Sequence, residues 1–473
     1  MSLTFDPEVR PQDFAGRRVT IVGLGKGRTA AGIARFLVAN GASVTITDPK
    51  TREKLGEGIA RLGDTPAELV LGPASDDAAL ADPDYVFVIN GVRPRSATVQ
   101  RATQRGIPVL TEIGLFFRLC PAPIVGITGT KGKSTTFTLI ARILEKGPNR
   151  VVAGGNIGTS IIDLLPTISP DDIVVLELSS FQLETLGRSP HVAVITNVLE
   201  DHLDHHGTRD AYVAAKRNIL AWQGPRDIAV LNLDDPTTVA LHTGVPSLVR
   251  GYSLNLRPKR GAYRAPDGAL ALVDGATERP LMHERDLRVP GRHNVANVLA
   301  AAIVGDIHGI GVDAIAAAIR SFAGLPHRLE TVTEGDGVLY VNDSQGTTPY
   351  ATIPALTAHG RPAVVILGGV SKGADWTELA AAVVRDARGA VLIGQSADEL
   401  AAALDRAGAG RTAFPVARAA TLPDAVRAAR AMAKPGDVVL LSPAAASFDM
   451  FSSYEERGEI FRATARELTG SAR

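Results

Sequence analysis

The sequence holds a single cysteine, Cys120, among 473 residues. An intrachain disulfide is therefore excluded, and so is a metal site built on several thiolates. That usage is expected of a protein of the reducing cytoplasm. Neither sign of charge is in excess, with 50 Lys plus Arg against 50 Asp plus Glu. A balanced chain gives no electrostatic case for nucleic acid or a membrane as the main partner. No uninterrupted apolar run is long enough to span a bilayer. The first residues, MSLTFDPEVRPQDF, carry acids and lack an apolar core, so no signal peptide is expected. Low-complexity tracts and fixed-period repeats are also missing. What remains is a length that suggests about three domains at roughly 100–200 residues each. Each third is long enough to bury its own core.

Short β-rich runs alternate with helical ones along the whole chain, which predicts parallel sheets covered by helices. In the first stretch the strands are RRVTIVGLG (17–25), ASVTITD (42–48), YVFVING (85–91) and IPVL (107–110), with a helix over 29–41 that Gly41 ends. A proline-flanked break, LCPAP (119–123), precedes IVGIT (124–128), DIVVLEL (172–178), VAVITN (192–197) and DIAVLNLD (227–234). Residues 250–290 read as strands and loops, and 291–309 as a helix. The last strands are VLYVND (338–343), AVVILGG (363–369), GAVLIG (389–394) and VVLLSP (438–443). The expected fold is α/β in three consecutive domains. They are a Rossmann-like unit over 1–120, a parallel sheet of the P-loop ATPase type over 121–324, and a second Rossmann-like unit over 325–473.

The strongest single motif is GITGTKGKSTT (126–136). An apolar strand leads in, and Gly129 and Gly132 let backbone N–H groups point inward past Thr130 and Lys131. Lys133, Ser134 and Thr135 then open a helix whose dipole favours an anion. In such loops the lysine reaches the terminal phosphates and the hydroxyl binds Mg²⁺. The rival reading is a strand-to-helix turn with a surface lysine. The spacing is a variant, because the usual first glycine would fall at Ile127. By itself EDHLDHH (200–206) reads as a solvated loop or a soft-metal site. GLGKGRTA (23–30), followed by Asp48, is a weak dinucleotide signal, since Arg28 stands where a third glycine belongs. It leaves an NAD-binding dehydrogenase open as a second reading.

The form T-G-T-x-G-K-S-T resembles the ATP loop of the Mur ligases and folylpolyglutamate synthetases, ADP-forming enzymes that join a carboxylate to an amine. Further segments carry the same resemblance over roughly residues 20 to 465. They are GGNIG (154–158), ELSSFQLE (177–184), TNVLEDHLDHHG (196–207), YVAAKRNIL (212–220), GRHNVAN (291–297), LPHRLE (325–330), NDSQGTTP (342–349), GGVSKGAD (368–375) and LSPAAASFDMFSSYEERG (441–458). ELSSFQLE, GGVSKGAD and the tail are most similar to the branch that adds D-glutamate to UDP-N-acetylmuramoyl-L-alanine in peptidoglycan precursor synthesis. Folate polyglutamylases and sister Mur enzymes are the near alternatives. A non-catalytic nucleotide-binding module is the distant one.

The resemblance implies a site. ATP phosphorylates the substrate carboxylate, and an amino acid's amine then displaces phosphate. Lys133 would hold the β- and γ-phosphates and Ser134 a first Mg²⁺. Glu177, at the end of an apolar strand, is a hard oxygen ligand. His202 would bind a second Mg²⁺, with His205 and His206 left as surface residues. Lys216, otherwise a solvent-facing helix lysine, is carbamylated in the family and would become an anionic ligand. Asn294 and Asn297 would contact adenine, with polar helix capping as their rival role. Arg328 and Asp343 would reach the nucleotide's phosphates and ribose. Asn156, Ser179 and Gln182 would line the muramoyl end, and Thr347, Lys372, Ser447 and Tyr454 would hold the incoming amino acid. The first domain would hold the UDP of the substrate. No nucleic-acid or membrane partner is expected, and the working form is expected to be a cytoplasmic monomer.

Two departures from the family's pattern stand out. Pro49 and Lys50 replace a usual Thr-Arg pair in the first domain. NDSQGTT has Gln345 where many relatives have lysine, so a neutral amide replaces a cation.

Overall fold

A computed structural model describes residues 7–90, 92–94, 96–155, 160–289, 291–371, 373–408 and 414–470. The strands, in chain order, form three sheets. Those of the first are β1 (Arg18–Val22), β2 (Ser43–Asp48), β3 (Ala67–Leu71), β4 (Tyr85–Val88) and β5 (Val109–Thr111). They lie in the order β3-β2-β1-β4-β5, all parallel, as in the doubly wound nucleotide-binding architecture. The helix Arg28–Ala39 buries Ala30, Ala31, Ile33, Ala34 and Leu37, the stripe its 3.6-residue period predicts.

The second sheet comprises β6 (Ile124–Thr128), β7 (Val151–Gly155), β8 (Ile173–Glu177), β9 (Val192–Ile195), β10 (Ile228–Asn232), β11 (Leu248–Ser253), β12 (Arg260–Arg264), β13 (Ala269–Asp274) and β14 (Thr277–His283). Their order is β14-β13-β12-β11-β10-β9-β6-β8-β7. The seven strands from β7 to β12 pair in parallel, and the core ones are apolar runs buried on both faces. The last two strands turn antiparallel, which accounts for the Arg-, Pro- and Gly-rich segment of 250–290. β6 lies between β8 and β9, so its carboxyl end opens inside the parallel part of the sheet.

These two sheets belong to one compact unit, residues 1–287 with 292–321. Within it Ser160 Oγ donates to the buried carboxylate of Glu112, and Arg35 pairs with Asp163 at 2.6 Å. Burial raises the Glu112 carboxyl above its ordinary value, against the pull of Ser160.

The second unit, residues 288–291 with 322–473, carries β15 (Glu330–Gly335), β16 (Val338–Asn342), β17 (Ala363–Gly368), β18 (Ala387–Ile393), β19 (Val416–Arg418) and β20 (Val438–Leu441). The order is β15-β16-β20-β17-β18-β19, with only β15 antiparallel. Alternate residues feed two cores. Leu339, Val341, Val365 and Leu367 enter one, and Val338, Tyr340, Val364 and Ile366 the other. The structure adds β3, β7, β15 and β19 to the strands expected from the sequence. No helix among the described residues is long and apolar enough to cross a membrane.

Candidate active site

At the carboxyl end of β6 the chain turns through Gly129–Gly132 into the helix Lys133–Leu144. Gly132 caps that helix at φ 83°, and a Cβ there would meet Asn297 Oδ1 at 2.4 Å, so only glycine fits. The loop is laced to the segment after β9. Thr130 N donates to Asn197 O at 2.9 Å, and Lys131 N donates to Asn197 Oδ1 at 2.9 Å. Thr196 Oγ1 donates to Lys131 O at 2.6 Å. Thr130 Oγ1 accepts from Leu199 N at 2.9 Å and lies 2.9 Å from the hydroxyl of Tyr212. These contacts hold the loop in place and engage the amides of Thr130 and Lys131 themselves. Ser134 and Thr135 sit half-exposed in the first turn beyond it.

Lys133 Nζ folds back onto the loop, donating to Gly129 O at 3.0 Å and Thr130 O at 3.1 Å. Lys216 reaches the same place from the helix Arg209–Arg217. Its Nζ donates to Gly129 O at 2.9 Å and to Thr128 Oγ1 at 3.3 Å. Lys216 is 1% exposed, not the solvent-facing lysine that its helix position alone suggested. Burial first, and then the Lys133 charge, bring its ammonium down to about 7, against the opposite pull of Asp201. Glu177 ends β8 beside β6. It is 3% exposed, and its Oε2 is buried with no hydrogen-bond partner among the described residues. Gly155 lets β7 pass it closely, since a Cβ there would lie 2.4 Å from Glu177 O.

The EDHLDHH segment is the largest correction. His202 stands half in water at φ 52°, its ring 5.0 Å from Phe181 and 6.4 Å from Tyr212. His205 and His206, expected at the surface, turn inward. The His206 side chain is fully buried with Nε2 3.0 Å from Ser180 Oγ, and His205 Nε2 lies 3.0 Å from Glu184 Oε2. Phe181 draws them in, since its ring packs on both imidazoles.

Ser179 and Gln182 form a capping box on the short helix Ser180–Leu183. Ser179 N and Oγ both donate to Gln182 Oε1, at 2.9 and 3.0 Å. Asn297 is buried and accepts from Thr136 Oγ1 at 3.2 Å, while its Nδ2 donates to Asn294 Oδ1 at 3.4 Å. Asp48 serves its own loop. Leu24 N and Gly25 N donate to Oδ2, and Lys50 N to Oδ1. Burial would raise this carboxyl, yet the three amides hold it below the usual range. Both oxygens of Asp48 thus hold the glycine-rich turn and the start of the next segment in place. Asn156 lies outside the described residues.

Three family models match in chain order. The Mur ligase MurD-like N-terminal domain matches residues 17–111, the Mur ligase middle domain 127–305, and the Mur ligase glutamate ligase domain 327–445. A UDP-N-acetylmuramoylalanine–D-glutamate ligase of Pelotomaculum thermopropionicum is 41% identical over 452 residues, covering 95% of this chain and 98% of its own. The chain belongs to the Mur ligase family. A ligase of the same name from Symbiobacterium thermophilum is 40% identical, over 96% of this chain and 98% of its own. Among solved structures, the UDP-N-acetylmuramate-alanine ligase MurC of Thermotoga maritima is 19% identical with a TM-score of 0.56, covering 96% of this chain and all (100%) of that one. A pseudomurein peptide ligase type C of Methanothermus fervidus is also 19% identical, with a TM-score of 0.55. These two bear on the fold alone.

In the second unit of this Mur ligase, Asp343 is 5% exposed. It accepts from Ser442 Oγ at 2.7 Å and Leu329 N at 3.1 Å, and burial raises its carboxyl to about 6. Arg328 is exposed, and its charge acts on Asp343 against that rise. Thr347 is half-buried and Ser447 buried. Tyr454 OH accepts from Gln345 Nε2 at 3.5 Å, so the neutral amide that replaces a lysine touches a predicted site residue. Lys372 lies outside the described residues.

Arg457, in the ERG of the tail, carried no role in the sequence reading. It is fully buried and donates to Ser344 Oγ at 3.0 Å, Ser344 O at 2.8 Å and Ala445 O at 3.2 Å. It therefore ties the loop that leads to Thr347 to the loop that leads to Ser447. The signal was an arginine at i+3 from Tyr454, on the inner face of a helix.

Proposed function

We propose that this chain adds D-glutamate to UDP-N-acetylmuramoyl-L-alanine, with ATP converted to ADP and phosphate, in peptidoglycan precursor synthesis. The observation that carries the reading is end-to-end identity of 41% to a ligase of that name. The geometry supports it. A phosphate loop, two lysines on one carbonyl and a carboxylate oxygen with no partner among the described residues meet at the carboxyl edge of one sheet, where open α/β sheets hold ligands.

The substrate carboxylate attacks the γ-phosphorus, and a P–O bond forms as the bond to ADP breaks. The glutamate amine then attacks the acyl carbon, phosphate leaves, and the amine sheds a proton as the amide forms. Lys133 and the loop amides position the phosphates and meet their charge. Glu177 fits a Mg²⁺ site, because a buried carboxylate oxygen with no donor among the described residues is the hard ligand such an ion takes. Ser134, His202 and a carbamylated Lys216 complete the proposed ligands of two ions. Mg²⁺ supplies neutralisation of the transferring phosphoryl charge. An amine brought down to about 7 is neutral often enough to add CO₂, forming an N–C bond and losing a proton. Asn294 and Asn297 flank the adenine, and Arg328 and Asp343 meet the nucleotide. Asn156, Ser179 and Gln182 face the muramoyl end, and Thr347, Lys372, Ser447 and Tyr454 receive the amino acid.

The domains divide at 120 and 324, and the first holds UDP against the amides that open the helix Arg28–Ala39. The enzyme works as a cytoplasmic monomer. The test is phosphate release by the purified chain with a panel of UDP-muramoyl acceptors and amino acids. UDP-N-acetylmuramoyl-L-alanine with D-glutamate should lead it. Fastest release with a diamino acid or a folate would move the chain to another branch.

A further inference from the structure

His205, His206 and Glu184 take no part in the proposed ligation, yet they converge. Each offers one donor atom, and the three atoms lie within 4.8 Å of one another. His205 Nε2 is 3.0 Å from Glu184 Oε2, and His206 Nδ1 is 3.8 Å from the same oxygen. Tetrahedral ligands bonded to zinc at about 2.0–2.2 Å stand roughly 3.3–3.6 Å from each other, so the cluster is within a small side-chain adjustment of that spacing.

A second observation points to a ligand. His206 Nδ1 is buried in a side chain with 0% exposure and has no hydrogen-bond partner among the described residues. Leaving a buried polar atom unpaired is costly. The other ring nitrogen, Nε2, sits 3.0 Å from Ser180 Oγ. That is how a metal-bound histidine is held, with one nitrogen oriented by a neighbour and the other presented to the ion. Burial lowers the His206 imidazole below its ordinary value, which favours the neutral form a metal needs. Phe181 packs at 4.4 Å from the His205 ring and 5.6 Å from the His206 ring, fixing both planes.

We propose that Glu184, His205 and His206 form a nitrogen-rich site for one divalent ion of the zinc class, separate from the magnesium ligands. Two imidazoles and a carboxylate suit Zn²⁺ or Co²⁺, whereas Mg²⁺ demands oxygen. Three protein ligands leave a position for water. The histidines sit on the short helix Leu203–His206 that His202 caps, so an ion here would pin the backbone that carries His202.

The experiment uses the full chain, stripped with a chelator and kept in excess Mg²⁺. It is titrated with Co²⁺ while visible absorption is recorded, and Zn²⁺ is then added. The expected result is one equivalent of Co²⁺ with imidazole-type bands that Zn²⁺ abolishes. His205→Gln and Glu184→Gln should each weaken binding at least tenfold, while His202→Ala retains it. Thermal unfolding gives an independent reading. Zn²⁺ should raise the midpoint of the parent chain and not of His205→Gln. No cobalt bands in excess Mg²⁺, bands unchanged in both variants, or bands lost in His202→Ala would overturn the proposal. In those cases the cluster is a histidine–glutamate hydrogen-bonded pair and nothing more.

Discussion

Lys133 and Lys216 donate to one acceptor, the carbonyl oxygen of Gly129, at 3.0 and 2.9 Å. Two ammonium groups on one oxygen repel, and the buried one yields. Burial and the Lys133 charge together bring Lys216 down to about 7. The pair therefore sets two amines at the phosphate loop, the buried one brought down to about 7.

The lowered value favours Lys216 as the proposed site of carbamylation. With ¹³C-labelled CO₂ at constant dissolved concentration, a carbamate resonance should appear in the parent and grow as pH rises through 7. It should be missing from Lys216→Ala, which should also be nearly inactive and partly recovered by small carboxylic acids. The stability trend has the same origin. The folded value lies below the ordinary lysine value of about 10.4, so between about 7 and 10 the unfolded chain binds more protons and stability rises with pH. Lys216→Met should flatten that rise in urea unfolding measured across the window.

Lys133→Ala should keep the fold and lose ligation. Its Nζ contacts lie in a loop and support no core. Removing one electrostatic donor to a growing charge costs about a hundredfold or more in rate. Steady-state kinetics beside a thermal midpoint separates the two effects, and near-normal turnover would count against the loop's assignment.

Asp343 gives a pH signature of opposite sign. Its folded value, about 6, lies above the unfolded one, so its contribution to stability is full below about pH 4 and is lost as pH rises through 6. Asp343→Asn keeps the acceptor for Leu329 N and removes the buried charge. The variant should gain on the order of 2 kcal/mol over the parent above pH 6, and little at pH 4. Its ligation should fall even so, because Asp343 is proposed to meet the nucleotide.

The sequence carried the central sheet and the phosphate loop well, because β6, β8 and β9 are continuous apolar runs ending at the motif. Four strands were not legible, and all four lie at sheet edges. AELVL exposes Glu68, VVAGG ends in two glycines, ETVTEG is half solvated, and VAR is three residues long. Edge strands need no long apolar run, so periodicity is faint there. The burial of Lys216 had a signal that was not used. Tyr212, Ala215 and Lys216 fall at i, i+3 and i+4, one face of a helix, and that face is the buried one. The inward turn of His205 and His206 had none, because it depends on Phe181 from another element. Ser179 and Gln182 fit the S-x-x-Q pattern of a capping box, which competes with their proposed substrate role.

Arg457→Ala should destabilise the chain by roughly 2–4 kcal/mol, since it leaves the buried carbonyls of Ser344 and Ala445 without a donor. Burial brings this guanidinium down to about 10, so it stays charged at working pH. Arg457→Lys should recover only part, because lysine lacks the planar fork. In whatever variant remains folded, KM for D-glutamate should rise more than KM for ATP, as the loops to Thr347 and Ser447 loosen.

The most direct measurement is a competition. The purified chain receives UDP-N-acetylmuramoyl-L-alanine, ATP and Mg²⁺ with equal amounts of D-glutamate, L-glutamate, D-aspartate, L-lysine and diaminopimelate, and the products are resolved by mass and chirality. A pocket built for a second carboxylate leaves its own groups unpaired with any other side chain, so discrimination should be steep. The account predicts one product, heavier by a single D-glutamyl residue, with one phosphate released per product formed. A product carrying lysine or diaminopimelate, or no product while ATP stays intact, would contradict it.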